Sequence, residues 1–213
     1  MANNVRVSWN SVVKTFLDTT TDEWIFSVHN DVVLHPETLM RLLSWEKPLV
    51  SALIFMRQSP VLPHVWKAYD TPAQNYTMRI NDTREWLMSH REYIQFGPVV
   101  MEPRPVDALT EIDFTSTSCT LMHRDVLEAM RKQVCDIWFR WDDDLNGGGE
   151  DRNFFEQAKI AGFQAYVDRS CIVGHQVGEI PTGAADFIAW DSVSQWKNTG
   201  EPMTERSLES ERV

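Results

Sequence analysis

The chain has 213 residues, of which 43% are hydrophobic, and this is enough apolar material for one globular domain with its own core. Its formal net charge is −11, which argues against a nucleic-acid partner because domains that bind nucleic acid normally present a basic face. The apolar run at residues 49–56 is too short to cross a bilayer.

The cysteines favour a reduced, cytoplasmic protein. Cys119, Cys135 and Cys171 are odd in number and widely spaced. This pattern argues against a disulfide framework and against a Cys-x-x-Cys zinc site. No secretory signal is visible, so we expect reduced cysteines in the core and a cytoplasmic location.

The first strongly patterned segment is a buried strand that ends in polar residues. Residues 5–17 predict a helix, and the apolar run Trp24–Val28 predicts a strand that ends in His29-Asn30-Asp31. Ligands of open α/β sheets bind beyond the carboxyl ends of strands. Asp31 at such an end is placed to hold a divalent cation that also contacts phosphate oxygens. Asn-Asp is also common turn chemistry, so a simple turn stays an alternative.

The next segments predict a βαβ unit. Residues 37–45 predict a helix and residues 48–55 a second buried strand, so the two strands are expected to be parallel neighbours in one sheet. Residues 57–105 are rich in proline and aromatic side chains and predict short antiparallel strands and loops. Residues 125–132 predict a short helix.

A glycine-rich stretch then leads into an acidic helix start. Gly147-Gly148-Gly149 precede Glu150 and Asp151, which open a helix that Gly162 is expected to end. The helix dipole favours acids in this position, and a carboxylate beside a bendable loop is well placed for general-base work. The alternative is an ordinary capped helix that buries its apolar face. A strand at 164–167 and a second extended run that ends in His175 follow.

Aromatic residues before the glycines suggest a further role. Trp138 and Trp141 stand just before the acidic residues 142–144. Aromatic faces stack on sugar rings, and a loop with glycine hinges can close over a ligand. Burial in the core is an equal alternative for Trp138, whereas Trp141 is expected to be exposed and residues 142–144 to form a solvated loop.

Taken in order, these motifs resemble the glycosyltransferases of the GT-A fold, in particular the inverting, family-2-like group. The metal motif of that family corresponds to residues 29–31, and its following hydrophobic–hydrophobic–x–Pro–Glu–x–Leu element corresponds to residues 32–39. A small-residue turn and Leu–hydrophobic–x–Arg correspond to residues 116–124. The Gly-Glu-Asp element corresponds to 149–151, and the Gly-His element to 174–175.

The resemblance implies an α/β fold, namely a GT-A, Rossmann-like three-layer sandwich with a central, mostly parallel sheet. We expect this domain over residues 1–180, followed by a partly disordered extension at 181–213. Relatives begin with a β-α-β-α unit that binds the nucleotide, whereas this chain begins about one helix before the metal strand. We therefore expect a domain truncated at its N-terminus, with three alternatives: the chain is a fragment, a partner supplies the missing segment, or the nucleotide pocket is degenerate.

The resemblance also implies residue roles. Asp31 and His175 would bind the Mn²⁺ or Mg²⁺ that carries the nucleotide-diphosphate sugar, Asp151 would be the catalytic base, and Glu150 its companion in the acceptor pocket. The residues implied to contact the donor are His29, Asn30, Asp31, Ser116 and Ser118.

The implied function is a hexosyltransferase-like enzyme that moves a sugar, with inversion, from a nucleotide sugar to a hydroxyl of a glycan, protein or other acceptor. Inverting transfer needs a base to take the acceptor proton and positive charge to stabilise the departing diphosphate. The alternative is a non-catalytic relative, a binding or structural module that kept the scaffold and lost the donor pocket.

Overall fold

The chain combines helices with strands, several of which follow one another without a helix between them. The computed structural model describes residues 3–57, 60–68, 76–78, 80–95, 97–133, 137–140, 149–177 and 180–199. The helices are α1 (Asn3–Thr19), α2 (Thr38–Leu43), α3 (Ile80–Ser89), α4 (Arg124–Gln133), α5 (Glu150–Ile160) and α6 (Ala184–Thr199). The strands are β1 (Trp24–Val28), β2 (Val32–Val33), β3 (Leu49–Leu53), β4 (Val65–Ala68), β5 (Tyr76–Met78), β6 (Val99–Val100), β7 (Leu109–Ile112), β8 (Phe114–Thr115), β9 (Cys119–His123), β10 (Ala165–Ile172), β11 (Gly174–Val177) and β12 (Ile180–Thr182).

The main sheet has the strand order β1-β9-β3-β10-β6, and β7 pairs with the first half of β10. Strand β9 is antiparallel to both of its neighbours, with Leu121 opposite Phe26 on β1 and opposite Val50 on β3. Strands β3 and β10 are parallel, with Ser51 opposite Val167. Consequently β1, β3 and β10 run in the same direction, and their carboxyl ends lie at one edge of the sheet.

Two expectations about this sheet are wrong. Strands β1 and β3 run in the same direction, but they are not neighbours because β9 lies between them. The sheet is also not mostly parallel: among the described strands of the main sheet, β3 and β10 form the parallel pair and the other pairs are antiparallel. The reason is that the chain enters β9 from a turn at the carboxyl edge, so β9 must run back through the sheet.

The other elements of the predicted βαβ unit are confirmed. Strand β1 has the predicted bounds, the predicted helix at 37–45 appears as α2, and the strand at 48–55 appears as β3. The predicted helix at 125–132 appears as α4. Each of these segments carries its signal locally, as a short apolar run or an apolar face with charged flanks.

Gly162 ends α5 as expected. Its φ angle is +93°, a left-handed conformation that suits glycine. The Gly162 N–H donates to the carbonyl of Lys159 at 3.0 Å, and the Phe163 N–H donates to that of Ala158 at 3.0 Å. These bonds satisfy carbonyls that the helix would otherwise leave unpaired.

The segment 57–105 holds the expected antiparallel strands β4 and β5, but it also holds a ten-residue helix, α3, that the sequence reading missed. The local sequence Asn81-Asp82-Thr83 is typical of a turn. In the structure Thr83, Trp86 and Leu87 are all buried, and their spacing places them on one helical face. Tertiary packing of that face outweighs the local turn preference.

Helices cover both faces of the main sheet. Leu49 and Leu53 of β3 point into a large core, to which α1, α3, α4, α5 and α6 contribute. Val50 and Ala52 point into a smaller core on the other face, which Leu42 of α2 covers. The alternation along β3 therefore separates the two apolar layers, as the period of a strand requires.

Helix α6 lies within the expected C-terminal extension and packs on the large core. Phe187 is fully buried, and its ring stacks on Phe55 with centroids 5.5 Å apart. Residues 200–213 lie outside the described part of the chain. None of the helices in the described residues is long and apolar enough to cross a membrane.

Two of the cysteines are buried free thiols, as expected. Burial raises the pKa of Cys119 to about 12, and it also raises that of Cys171 well above its ordinary value. Such thiols are chemically inert at neutral pH. Cys135 lies outside the described residues.

A small sheet, β12-β11-β2, stands beside the carboxyl edge of the main sheet and depends on a glycine. A Cβ on Gly174 would lie 2.8 Å from the Cβ of Pro181 on β12 and 3.5 Å from that of Val33 on β2. We expect Gly174→Ala to lower the free energy of unfolding by about 1–3 kcal/mol, since the strands must move apart to admit the methyl group. Chemical denaturation measures this change.

Gly183→Ala is the control, because among the described residues the nearest atom to its Cβ would be the Gly97 carbonyl oxygen, at an ordinary 3.7 Å. Equal destabilisation by both substitutions would contradict the packing argument.

Candidate active site

The turn after β1 places Asp31 at the carboxyl edge of the sheet. The Val32 N–H donates to the His29 carbonyl at 3.1 Å and closes the turn, while the His29 N–H donates to the Ser118 carbonyl at 3.0 Å and extends the β1–β9 ladder. The Asp31 side chain is 29% exposed and so remains open to a ligand. Asn30 is exposed at the tip of the turn.

The pairing of β2 with β11 brings His175 to Asp31. His175 lies opposite Val32 in this ladder, and the Gln176 N–H donates to the Asp31 carbonyl at 2.7 Å. As a result, His175 Nε2 lies 3.5 Å from Asp31 Oδ2. The convergence that a shared ion requires is therefore present, although the two residues are far apart in sequence.

The hydrogen bond on the other ring nitrogen defines the role of His175. Its Nδ1 lies 2.9 Å from the carbonyl oxygen of Phe55. A carbonyl only accepts, so Nδ1 must donate, and in the neutral ring this leaves the Nε2 lone pair facing Asp31. A lone pair and a carboxylate oxygen at this distance repel each other unless a proton or a cation lies between them.

This donor set is compatible with a Mn²⁺-type ion whose other ligands would be water and phosphate oxygens. Metal-binding histidines commonly donate their second N–H to a carbonyl, as His175 does to Phe55. Imidazole with carboxylate suits a Mn²⁺-type ion. Within the described residues no group of three or more His, Cys, Asp or Glu side chains forms a complete protein cage. Asp31 and His175 would thus supply two ligands of an open site.

Asp151 is held by the turn that precedes β9. It lies in the first turn of α5, after the extended cap residue Gly149. Its Oδ1 accepts a hydrogen bond from the Thr117 N–H at 3.1 Å and a short one from the Thr117 hydroxyl. Both bonds go to Oδ1, so neither occupies Oδ2. Glu150 is half-buried beside it at the helix start.

The same turn links the two halves of the site. The Thr117 carbonyl accepts from the Ser27 hydroxyl at 2.6 Å, and its neighbour Ser118 binds His29. Thus the base candidate, Asp151, and the ion candidates, Asp31 and His175, are fixed to the same edge of the sheet. The Ser116 and Ser118 hydroxyls lie 2.5 Å apart, and Ser118 is 1% exposed. Ser116 is therefore the more accessible of the two serines.

The structure turns His29 toward α1. Its ring stacks on Trp9, with centroids 6.0 Å apart, and its Nε2 is buried without a hydrogen-bond partner among the described residues. Among the described residues, no hydrogen bond or ion pair joins the His29 ring to Asp31 or His175. The expected contact of His29 with the donor stays a prediction.

The aromatic segment before α5 belongs partly to the core. Trp138 is fully buried, and its Nε1 donates to the Leu127 carbonyl at 2.9 Å, so the core alternative holds for this residue. Trp141, the acidic residues 142–144, Gly147 and Gly148 lie outside the described residues. The expected loop closure therefore stays a prediction.

His64 is a site residue that the sequence reading missed. After β3 the chain turns back, and the His64 N–H donates to the Ile54 carbonyl at 2.9 Å, which brings its ring to the carboxyl edge. The ring contacts Trp66 and Phe114 edge-on, and its Nδ1 is buried without a partner among the described residues. No local motif marks this position, because its neighbours come from distant segments.

His64 is held as a neutral ring. Burial lowers the pKa of His64; the nearby Asp151 carboxylate opposes this shift, and His175 adds to it. Both groups therefore lie within electrostatic reach of His64, which connects the two halves of the site. A neutral imidazole adds a polar group to this edge without adding a positive charge.

Comparisons with known proteins give a structural likeness and no family assignment. No protein-family model and no curated protein matches the chain. A solved structure described as "Crystal Structure of A197 from STIV" aligns over 83% of this chain and 70% of that chain, with 15% sequence identity and a TM-score of 0.49. A likeness at this level carries no inference about activity.

The lowered pKa of His64 predicts a pH dependence of stability. The stabilisation by neutral His64 is fully present above its ordinary pKa of 6.5 and is lost as the pH falls toward the depressed folded value, because the unfolded chain then binds the extra proton. We expect the free energy of unfolding to fall less between pH 7 and pH 5 in His64→Gln than in the parent. Denaturant titration at each pH measures it.

His35→Gln, at a turn outside this cluster, controls for the general loss of a histidine. Identical pH profiles for the parent and His64→Gln would refute the assignment.

Proposed function

We propose that the chain is a GT-A-like, inverting, metal-dependent glycosyltransferase that uses a nucleotide-diphosphate sugar. The observation that carries the proposal is the convergence of an Asp31–His175 pair and a separately held carboxylate, Asp151, at one edge of the sheet. The reaction needs two separate groups: one that binds a cation beside the departing diphosphate, and a carboxylate that takes the acceptor proton. A cytoplasmic location stays a prediction.

Asp31 and His175 would hold the divalent ion, which when bound supplies positive charge to the departing diphosphate. The Phe55 carbonyl orients His175 so that Nε2 faces the ion position. The pairing of strand β2 with strand β11 fixes the distance between Asp31 and His175 before the ion or the donor binds. Such preorganisation reduces the free energy spent on reorganising the site during transfer.

Asp151 would take the proton from the acceptor hydroxyl as the hydroxyl oxygen attacks the anomeric carbon. Thr117 fixes the carboxylate through Oδ1, so Oδ2 is the atom that we assign to the acceptor proton. Asp151 lies in the first turn of α5, where the free backbone N–H groups attract a carboxylate. Glu150, beside it, is assigned to the orientation of the acceptor.

A binding module is the second candidate. It is favoured by the two-ligand character of the ion site, since no complete metal cluster occurs in the described part of the chain. In that case Asp151 serves only as a helix-start residue that ties α5 to Thr117. Measurement of sugar transfer separates the two candidates.

Asp151→Asn tests the base. Asparagine keeps the size of the side chain and an oxygen that accepts from Thr117, but it cannot take the proton. We expect turnover to fall by about 10²–10⁴-fold, with donor binding little changed. The measurement is transfer from nucleotide sugars to simple hydroxyl acceptors, with any missing N-terminal segment supplied.

The matched control is Asp125→Asn, which removes the same charge from the first turn of another helix, α4. Turnover by Asp151→Asn at the rate of the parent and of this control would reduce Asp151 to a structural residue. An intact parent that binds no nucleotide sugar with any metal would favour the binding module.

Substitution of Asp31 and of His175, the two proposed ion ligands, tests the metal site. We expect Asp31→Asn and His175→Gln each to weaken Mn²⁺ binding by about tenfold or more, because each removes one of the two proposed protein ligands. Calorimetric titration with Mn²⁺ measures the affinity.

The chain offers a matched control in a second His–Asp pair, His123 and Asp125, whose atoms lie 3.4 Å apart. His123→Gln should leave Mn²⁺ affinity unchanged. Equal losses in His123→Gln and His175→Gln would show that the ion does not bind at Asp31.

A further inference from the structure

Arg57 occupies the position next to Asp31 that a cation would use. Its Nη1 donates to Asp31 Oδ2 at 3.0 Å, and Oδ2 is the same oxygen that faces His175 Nε2. The Arg57 side chain is 52% exposed, compared with 29% for Asp31. The guanidinium therefore approaches the carboxylate from the solvent side and does not belong to the packed interior.

The segment that carries Arg57 contacts both ion-ligand candidates. Two residues earlier, the Phe55 carbonyl accepts the hydrogen bond from His175 Nδ1. Residues 54–56 pair with residues 62–64, so the backbone around Phe55 is fixed, while Arg57 lies beyond the last of these hydrogen bonds. A rigid carbonyl thus orients His175, and a longer, solvent-facing side chain balances the charge of Asp31.

A divalent ion and the guanidinium compete for Asp31. A carboxylate oxygen that binds a cation directly donates much of its electron density to it, and a second positive charge beside the ion is unfavourable. The Arg57–Asp31 pair is exposed to solvent, and exposed ion pairs of this kind are weak enough to be displaced by a competing cation. Once displaced, the guanidinium is a planar donor fork that matches phosphate oxygens.

We infer that Arg57 is an exchangeable counter-ion: it neutralises Asp31 when the site holds no divalent ion, and it binds the diphosphate when the ion and the donor are present. The inference rests on the proposed use of a nucleotide-diphosphate donor. Arg57 would thus have two anionic partners in succession, first the Asp31 carboxylate and then a phosphate of the donor. The side chain changes partner without a change in its own charge.

The exchange predicts effects of opposite sign for one substitution. In Arg57→Gln, Mn²⁺ alone binds tighter, by about threefold, because the competing charge of a solvent-exposed pair is gone. In the presence of saturating Mn²⁺, the affinity for inorganic pyrophosphate falls by about tenfold, because charge-assisted hydrogen bonds to phosphate are lost. An arginine whose charge does not act on this site produces neither change.

The experiment uses the full chain and two probes, Mn²⁺ and inorganic pyrophosphate. The electron paramagnetic resonance signal of free Mn²⁺ gives the metal affinity, and calorimetry at fixed Mn²⁺ gives the pyrophosphate affinity. Lys14→Gln is the control, because it removes one positive charge from another exposed ion pair, with Asp18 on α1. Arg57→Lys keeps the charge but loses the fork, so it should retain the parent's Mn²⁺ affinity and weaken pyrophosphate binding.

The outcomes separate this inference from the proposed function. Tighter Mn²⁺ and weaker pyrophosphate binding in Arg57→Gln, with Lys14→Gln like the parent, support the exchange. An unchanged Mn²⁺ affinity in Arg57→Gln overturns the exchange, while Asp31-dependent Mn²⁺ binding by the parent leaves the proposed enzyme in place. Absence of Mn²⁺ binding from both the parent and Arg57→Gln overturns the exchange together with the proposed metal site.

Discussion

The antiparallel insertion of β9 between β1 and β3 determines the geometry of the site. Cys119 at the start of β9 lies opposite Val28 at the end of β1, so the turn before β9 must lie beside the turn after β1. The bond from the His29 N–H to the Ser118 carbonyl continues this ladder by one step. Without β9 between β1 and β3, the turn that carries Asp31 and the turn that carries Thr117, the partner of Asp151, would not be hydrogen-bonded to each other.

The shared direction of β1, β3 and β10 brings the remaining side chains of the candidate site to the same edge of the sheet. Strands β3 and β10 run parallel to β1, so Phe55 and Arg57 after β3 and His175 after β10 all follow carboxyl ends of strands. The helix that carries Asp151 is held from the other side by aromatic packing. Phe139 stacks on Phe154 of α5 at 4.9 Å. The site is thus a consequence of strand direction together with one anchored helix.

The sequence allowed the prediction of elements whose signals are local. The apolar run of β1, the acidic start of α5 and the glycine that ends it each act within a few residues, and these were located correctly. Strand β9 has no alternation that reveals it, because it is buried on both faces and its place depends on two distant partners. His64 and Arg57 were missed for the same reason, since their roles arise from contacts across many residues of chain.

The two functional carboxylates differ in the kind of partner that each one has. Asp151 accepts from an uncharged N–H and an uncharged hydroxyl of Thr117, so its negative charge is oriented but not cancelled. Asp31 faces a guanidinium and an imidazole, groups that carry or can carry positive charge. Neutral donors orient a carboxylate without cancelling its charge, whereas cationic partners occupy the position that a bound cation would take. Under the proposed function, this difference in partners is the reason to assign the acceptor proton to Asp151 and the divalent ion to Asp31.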